Sequence, residues 1–330
     1  MSELTLRHVA ARAGGNLLSL LMLLAFALLL LLFSLFAPGF FTLSNIESVL
    51  LNNVAPLAIV ALAMTVVASM GAVDLSVGTA IDFACLVLVT LVLHQVGLPL
   101  AIGAALLAAL CVGLFNAFLI AVLGVEPFLA TLGTLFIGQS VQQLASNGGQ
   151  PIYLLSQVLP PGFSAISHGS WLGIPLPLWV VALLALGLHL LLQRSRHGRA
   201  LNVFGSQSSV AHYSGIHTKR LITLAFVISA VTAGLVGLML ASNVKAWVSL
   251  SGNAYLLNAI GAAFIGSTFS RSRRPSVPGT LLGVILLSFV ANALLLIGWN
   301  FYWQQVATGV LIFVVLAAGA LNRRQRGGER

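Results

Sequence analysis

The chain alternates between long apolar runs and short polar breaks. Because the hydrocarbon core of a bilayer is about 30 Å thick, a helix of about 20 apolar residues can cross it. Ten such runs can be drawn, at residues 17–37, 51–70, 76–95, 99–123, 127–145, 177–193, 221–241, 254–269, 278–297 and 302–321. The pattern predicts an all-α polytopic membrane protein with ten transmembrane helices. The longest loops leave no room for a soluble domain, so we expect a single domain over residues 1–330.

The basic residues predict how these helices are oriented. Every lysine and arginine except Lys245 lies in alternate breaks, which are the segments 1–16, 71–75, 124–126, 194–220, 270–277 and 322–330. Cytoplasmic loops of membrane proteins are enriched in Lys and Arg. We therefore expect both termini and a loop at about 194–220 in the cytoplasm, and a loop at about 146–176 in the periplasm. The two sets of five helices then start from opposite faces, which predicts two halves of inverted topology.

Composition supports a membrane protein. The chain is 59% apolar and 6% charged, with a mean hydropathy of +1.06, whereas a soluble domain has about 25% charged residues. The net charge of +9 does not indicate nucleic-acid binding, because the basic residues cluster between apolar runs. Cys85 and Cys111 lie within apolar runs without the spacing of metal ligands, and we expect them to pack as small hydrophobic residues.

The motifs of an enzyme are missing from the sequence. It contains no G-x-x-x-x-G-K-[ST], no H-E-x-x-H and no G-x-S-x-G, and neither of its lysines, Lys219 and Lys245, lies in a glycine-rich loop. We expect no catalytic residue, no metal site and no bound cofactor. If ATP drives transport through this protein, its hydrolysis must take place on another chain.

The polar loop RSRHGRALNVFGSQSSVAHYSGIHTKR at 194–220 has the residue choices of a folded segment. Ser208 can cap the start of a short helix and Gly215 can close it. Two interpretations remain open, an interfacial segment that dips into lipid headgroups and a coupling helix that inserts into a partner protein. The candidates for coupling are Gly205, Val210, Ala211, Tyr213, Ser214 and Gly215.

A polar break, SMGAVDLSVG at 69–78, separates the second and third runs. Asp74 is placed to cap the third helix, with its carboxylate accepting from the amide of Ser76 or Val77. It is either a cap near the membrane surface or part of a gate at the cytoplasmic mouth. The candidate gate residues are Gly71, Asp74 and Ser76.

Asp82 lies eight residues beyond Asp74, about 12 Å further along the helix at 1.5 Å per residue. A carboxylate at that depth is costly unless it faces a polar cavity or a hydrogen-bonding partner. A pathway role and a structural hydrogen bond are both open. On the fifth run, Thr131, Thr134, Gly138 and Gln142 fall within an arc of about 80°, which indicates either a helix interface or a water-facing stripe. Gly279 and Gly283 form a G-x-x-x-G pair that indicates helix packing.

Several motifs, in order and over most of the chain, resemble those of the permease subunits of ribose-type sugar ABC importers, a family that also carries other monosaccharides and autoinducer-2. Residues 71–78, GAVDLSVG, resemble the family's G-G-I-D-L-S-V-G, and residues 127–134, PFLATLGT, resemble P-F-I-A-T-L-G-T. Residues 113–116, GLFN, resemble G-x-x-N-G without its last glycine, and LNAI at 257–260 followed by Gly266 resembles L-D-A-I-A-A-V-V-I-G-G. The central loop follows the family pattern at Gly198, Arg199, Gly205, Ala211 and 214–216.

The resemblance implies partners and a substrate pathway. It implies an inner-membrane permease dimer, two cytosolic ATP-binding subunits that bind the loop around Ala211 and Gly215, and a periplasmic sugar-binding protein. The permease itself is expected to contact membrane lipids. The sugar is left open. Together with the residues discussed above, the candidates for the pathway are Asp82, Asn116, Phe128, Thr131, Thr134, Gln142 and Asn258.

The chain departs from the family at two places. The glycine-rich turn that usually follows the eighth helix reads STFSRSRRPS at 267–276, and Val210 and its neighbours replace the Asn and first Ala of the loop motif. Such changes would suit one chain of a heterodimeric permease. Whether the permease is a homodimer or a heterodimer is left open. The alternatives to a sugar importer are a permease for branched-chain amino acids and an ion- or proton-coupled secondary transporter, which Asp82 would suit.

Overall fold

The computed structural model describes residue 24 and residues 26–154, 158–207, 211, 213–269 and 274–327. A helix overlaps each of the ten predicted spans. The first half contains α1 (Phe26–Phe36), α2 (Leu43–Ser69), α3 (Val77–Leu93), α4 (Leu98–Val122) and α5 (Pro127–Ala145). The second half contains α6 (Ala165–His168), α7 (Leu176–Arg194), α8 (Arg196–Ser206), α9 (Thr218–Val244), α10 (Asn253–Phe269), α11 (Val277–Leu296) and α12 (Phe301–Gly327).

Five of these helices, α2, α4, α7, α9 and α11, are long and apolar enough to cross a bilayer. Shorter apolar helices occur at Phe26–Phe36, Val77–Leu93 and Tyr302–Val315. Two small strand pairs, which the sequence pattern does not predict, lie in the connections. β1 (Ile152–Tyr153) pairs antiparallel with β4 (Ala246–Trp247), and β2 (Ser170–Trp171) pairs with β3 (Ile174–Pro175). The fold is all-α and polytopic, as predicted.

Helix α2 forms the middle of the core. From Ala55 to Ser69 every residue except Ala68 is buried. The helix contains one turn of π-helix, Leu50–Val54, directly before Pro56. Proline has no N–H and its ring clashes with the preceding turn, so the helix accommodates Pro56 by widening that turn.

The packing pattern repeats between the two halves. In the first half α3 packs along α4, and in the second half α10 packs along α11. Helix α9 of the second half covers the α3–α4 pair, while α2 of the first half packs against the α10–α11 pair. Each half thus contributes one helix that packs on a helix pair of the other half. This symmetric arrangement agrees with two halves of inverted topology.

Glycines bring these helices close together. Gly237 of α9 packs on the backbone of Ile81 and leaves no room for a Cβ. Gly279 of α11 packs on Gly266, and Gly283 packs on Ala262. The G-x-x-x-G pair therefore lies in a helix interface, as predicted, because small residues let two backbones approach.

The polar loop contains a helix that the sequence analysis does not predict. Helix α8 begins after Ser195, whose Oγ accepts a hydrogen bond from the amide of Gly198 at 3.0 Å. The helix expected at 208–215 lies partly outside the described residues, and so do its proposed cap Ser208 and Val210. Its predicted end is confirmed. Gly215 has a φ of +72°, and the amide of Ile216 donates to the carbonyl of Ala211 at 3.2 Å, the bond that closes a helix at a glycine.

Candidate functional site

The amino ends of α3 and α10 meet inside the molecule. A Cβ on Gly78, the second residue of α3, would lie 2.8 Å from Asn253 Oδ1 and 3.2 Å from the carbonyl carbon of Gly252. Both helices have 17 residues, about 25 Å at 1.5 Å per residue, which is less than the bilayer core. Successive spans alternate in direction, so α3, the third span, and α10, the eighth span, extend from this contact toward opposite faces of the membrane. Transporters with broken helices often build their sites at such a meeting point.

A buried hydrogen-bond network surrounds the start of α3. Asp74 Oδ1 accepts from the amide of Ser76 at 2.9 Å and from its hydroxyl at 2.6 Å, and Asp74 Oδ2 accepts from Ser229 Oγ of α9 at 2.9 Å. The predicted hydrogen bond to the Ser76 amide is present. The cap position, however, belongs to Ser76, because α3 starts at Val77. With 1% of its surface exposed, Asp74 holds the break against α9.

Asn116 extends this network to α4 and α5. Its Nδ2 donates to Ser76 Oγ at 2.6 Å, and its Oδ1 accepts from Thr134 Oγ1 at 2.6 Å. Thr131, one turn earlier on α5, lies 3.3 Å from the carbonyl of Val73 and 3.0 Å from that of Pro127. All three side chains are buried. Three residues predicted for the pathway thus join the break to α4 and α5.

Asp82 holds a segment that follows β4. Its Oδ1 accepts from the amide of Gly252 at 2.7 Å and from Ser251 Oγ at 2.9 Å, and its carbonyl accepts from Trp247 Nε1 at 3.2 Å. Gln142 holds the same segment, since its Oε1 accepts from the amide of Leu250 at 3.1 Å. The carboxylate thus lies at the amino end of α10, where the partial positive charge of a helix terminus favours an anion.

Five buried polar atoms beside this segment have no hydrogen-bond partner among the described residues. They are Thr79 Oγ1, Asp82 Oδ2, Gln142 Nε2, Ser249 Oγ and Asn253 Oδ1. Thr79 also packs directly on Gly138, so the predicted stripe of α5 faces α3. Unpaired polar groups are costly in an apolar interior. In membrane proteins such groups mark pathways for solutes or ions, or polar seams between helices.

The other two predicted pathway residues lie elsewhere. Asn258 of α10 lines a cavity of about 270 Å³ between α2, α10, α11 and α12. Phe128 lies at the start of α5 with 47% of its surface exposed, and its backbone carbonyl lies 3.3 Å from Thr131 Oγ1. The sequence analysis did not identify Ser229, Ser251 or Trp247, because none of them belongs to a motif or a polar stripe that the sequence pattern shows.

Helix α8 packs directly on the break after α2. Gly71 has a φ of +81°, which turns the chain as a left-handed residue. A Cβ on Gly205 would lie 2.6 Å from the carbonyl oxygen of Ser69 and 2.7 Å from the carbonyl carbon of Met70. Only glycine fits at this contact. One predicted coupling residue, Gly205, therefore touches one predicted gate residue, Gly71.

The remaining coupling candidates differ in exposure. Ala211 is fully buried, Tyr213 is 89% exposed, and Ser214 and Gly215 are exposed. A groove of about 510 Å³ lies beside α8 and is lined by Arg199, Asn202, Arg274 and Ser276 among others. Residues 270–273 of the altered turn lie outside the described residues. Both arginines make this groove suitable for an acidic protein surface.

Inverted halves, two breaks that meet inside the bundle and buried polar clusters among apolar helices define a membrane transport protein. The chain belongs to the family described as branched-chain amino acid transport system / permease component, which matches residues 46–316.

The chain is also similar to individual permeases over most of its length. It is 28% identical to the ribose import permease protein RbsC of Escherichia coli K12 over 92% of this chain and 93% of that one. It is 31% identical to the probable ABC transporter permease protein YphD of the same organism, over 94% and 92%. It is also 31% identical to the autoinducer 2 import system permease protein LsrD of Yersinia enterocolitica, over 86% and 88%. No solved structure matches it.

Proposed function

We propose that this chain is the membrane-spanning permease subunit of an ATP-binding-cassette importer for a monosaccharide or a sugar-like molecule. The observation that carries the proposal is the alignment with the ribose import permease RbsC over more than nine-tenths of both chains. Because the alignment spans nearly every transmembrane helix, it covers the pathway and the loops together.

The relatives favour a sugar over a branched-chain amino acid. The family description refers to amino-acid transport, but three of the relatives aligned over most of the chain are named for ribose, galactofuranose and autoinducer 2. An amino acid is a zwitterion and needs paired charges in its site. The cavity of Asn258 offers amides and hydroxyls instead.

The contact between Gly205 and Gly71 supplies a route for coupling. In the proposed mechanism, ATP binding and hydrolysis move two cytosolic subunits docked on α8, the groove beside it and the loop up to Gly215. Because Gly205 packs on the backbone of the break without a side chain between them, a shift of α8 would move residues 69–71 and the amino end of α3. The loop at 194–220 and both termini would then face the cytoplasm, as the positive charges suggest.

Two further partners complete the proposal. A second permease chain, identical or different, would form the pathway together with this one, and a periplasmic solute-binding protein would deliver the sugar to the face that carries residues 146–175. Both proposals rest on the family. The substitutions in 267–276 suit a chain whose partner permease is the more typical of the two.

Asp82 supports a second candidate function, a proton-coupled secondary transporter. The supporting observation is a buried carboxylate with one oxygen that lacks a partner among the described residues. Against it, the other oxygen is committed to Ser251 and Gly252. A structural anchor accounts for those bonds.

Purification and transport assays test the proposed function. The tagged chain is purified in detergent from its own host, and we expect an ATP-binding-cassette subunit to co-purify in stoichiometric amount. The chain alone in proteoliposomes should hydrolyse no ATP, whereas the co-purified complex should hydrolyse it. Hydrolysis by the chain alone, or sugar uptake that follows a proton gradient without ATP, would reject the proposal.

A further inference from the structure

The cavity between α2, α10, α11 and α12 has an unusual lining for a membrane bundle. Its wall contains five carboxamide side chains and a serine hydroxyl, from Asn52, Asn53, Asn258, Gln304, Gln305 and Ser288. Carboxamides can donate and accept hydrogen bonds at once. Neighbouring hydroxyl groups on a sugar have the same double capacity. The lining therefore matches a ligand with several hydroxyls.

The absence of charged side chains among the described lining residues also restricts the kind of ligand that fits. Among the described residues that line the cavity, none is an Asp, Glu, Lys, Arg or His. An ion or a zwitterion would enter without a counter-charge and would lose its hydration, which is strongly unfavourable. An uncharged ligand exchanges water hydrogen bonds for amide hydrogen bonds. The cavity thus selects against amino acids.

Ser288 provides an independent indication that a ligand belongs here. The residue is 3% exposed, lines the cavity, and its Oγ has no hydrogen-bond partner among the described residues. Buried hydroxyls are almost always paired. The other buried residues of α11 are mostly apolar. A ligand hydroxyl would satisfy this group.

The backbone of α2 is also specialised at the cavity. Asn52 and Asn53 lie in the π-helical turn Leu50–Val54. A π turn inside an α-helix changes the direction of the side chains that follow, and such turns occur frequently at functional sites. Since Pro56 has no N–H, it cannot donate back to that turn. Both amides of this turn line the cavity.

The cavity lies toward the end of the molecule that carries residues 146–175. It shares Asn52 and Tyr255 with a second cavity of about 150 Å³, which is lined by Ser167 and His168 of that connection. At about 270 Å³, the first cavity lies just below the range of about 300–1,000 Å³ for ligand pockets. That size suits a single sugar ring.

We propose that this cavity is a binding site for an uncharged, polyhydroxylated solute of monosaccharide size, held by the carboxamides of α2, α10 and α12 and by Ser288. A solute that enters from the 146–175 end would reach the site through the smaller cavity, with which it shares Asn52 and Tyr255. This inference rests on the proposed transport function and adds to it the place and the chemistry of the substrate contact.

Uptake by variants tests the site. In cells that contain the whole importer, uptake of radiolabelled ribose, galactose and autoinducer 2 identifies which solute is carried. For that solute, Asn258→Leu and Gln305→Leu should each raise KM at least tenfold. Gln143→Leu removes an exposed carboxamide of α5 outside the cavity and should leave KM unchanged. Unchanged KM in both cavity variants would overturn the inference.

A labelling experiment reads the site without transport. With Cys111→Ser removing the exposed native cysteine, Ser288→Cys is reacted with a small methanethiosulfonate reagent in the purified complex. The carried solute should slow this reaction several-fold, and L-leucine should not. Absence of uptake of all three solutes, together with no co-purifying ATP-binding subunit, would reject the proposed function. If wild-type uptake is normal, but the solute does not slow labelling of Ser288→Cys and the KM of both cavity variants is unchanged, only the proposed site would be rejected.

Discussion

At the scale of the residue, Asp82 is the clearest case of a group whose role depends on its neighbours. Its Oδ1 holds the amide of Gly252 and the hydroxyl of Ser251, so it ties α3 to the segment before α10. This is a structural bond between two halves of the chain. Its second oxygen has no hydrogen-bond partner among the described residues and lies near Gln142. The first oxygen is expected to contribute to stability, and the second is the group on which the proton-coupled alternative depends.

Two substitutions at Asp82 separate these roles. Asp82→Asn keeps an oxygen acceptor for Ser251 and Gly252, and we expect nearly normal melting temperature and uptake. Asp82→Leu removes the acceptor and leaves a buried amide unpaired, which costs about 1–3 kcal/mol. Thermal unfolding of the purified protein measures the stability of both variants, and transport assays in cells measure their uptake. If Asp82→Asn instead abolished uptake, and wild-type uptake tracked a proton gradient, the secondary-transporter alternative would be favoured.

At the scale of the element, the contact between α8 and the end of α2 is made by glycine. Gly205 lies against the backbone of Ser69 and Met70, with no space for a methyl group. Helix–helix contacts of this kind resist small shifts because larger side chains cannot enter them. In the proposed mechanism, this contact would carry a movement of α8 to the break.

We expect Gly205→Val to lift α8 off the break. Overpacking of this kind costs about 1–3 kcal/mol, and the undocked helix should become several-fold more sensitive to trypsin at Arg196 and Arg199. Limited proteolysis of inside-out vesicles measures this. The matched control is Gly187→Val on α7, where a Cβ would meet nothing within 4 Å. Equal cleavage of the two variants would contradict a docked α8.

At the scale of the whole molecule, the bundle is divided into two ends with different chemistry. One end carries α8, the arginine-lined groove and the glycine-terminated turn at Gly215. The other carries residues 146–154 and 158–175 and the amide-lined cavity. The junction of α3 and α10 lies between them. This division suits a protein that receives a solute at one end and a mechanical input at the other.

Gly215→Arg tests the docking end. The residue is exposed, has a φ of +72° and a Cβ would meet nothing within 4 Å, so the fold should survive with about 1–2 kcal/mol of backbone strain. We expect membrane insertion to persist and capture of the ATP-binding subunit to fall at least tenfold. Gly173→Arg is the matched control, since Gly173 is exposed with a φ of +75° at the other end. Capture that is equal in both variants would place the docking surface elsewhere.

Much of the fold could be predicted because each signal is local. An apolar run of sufficient length predicts its own helix, and Gly215 predicts the end of a helix from its backbone freedom. The Asp74–Ser76 bond spans two residues and was also predictable. Helix α8 was missed because its sequence, RHGRALNVFGS, contains two glycines and no long apolar run, and its stability comes from packing on α2 and α7.

The amino-acid sequence by itself determined the number of spans, the polar breaks between them and the set of polar residues inside the membrane, because bilayer thickness and residue polarity act on each segment separately. Only the tertiary structure decided which of those polar residues meet. Asp74 reaches Ser229, Asp82 reaches Gly252, and Asn258 joins a cavity with Asn52 and Gln304. Hydrogen bonds extend about 3 Å, so a partner 155 residues away along the chain, as Ser229 is from Asp74, is selected by helix packing alone.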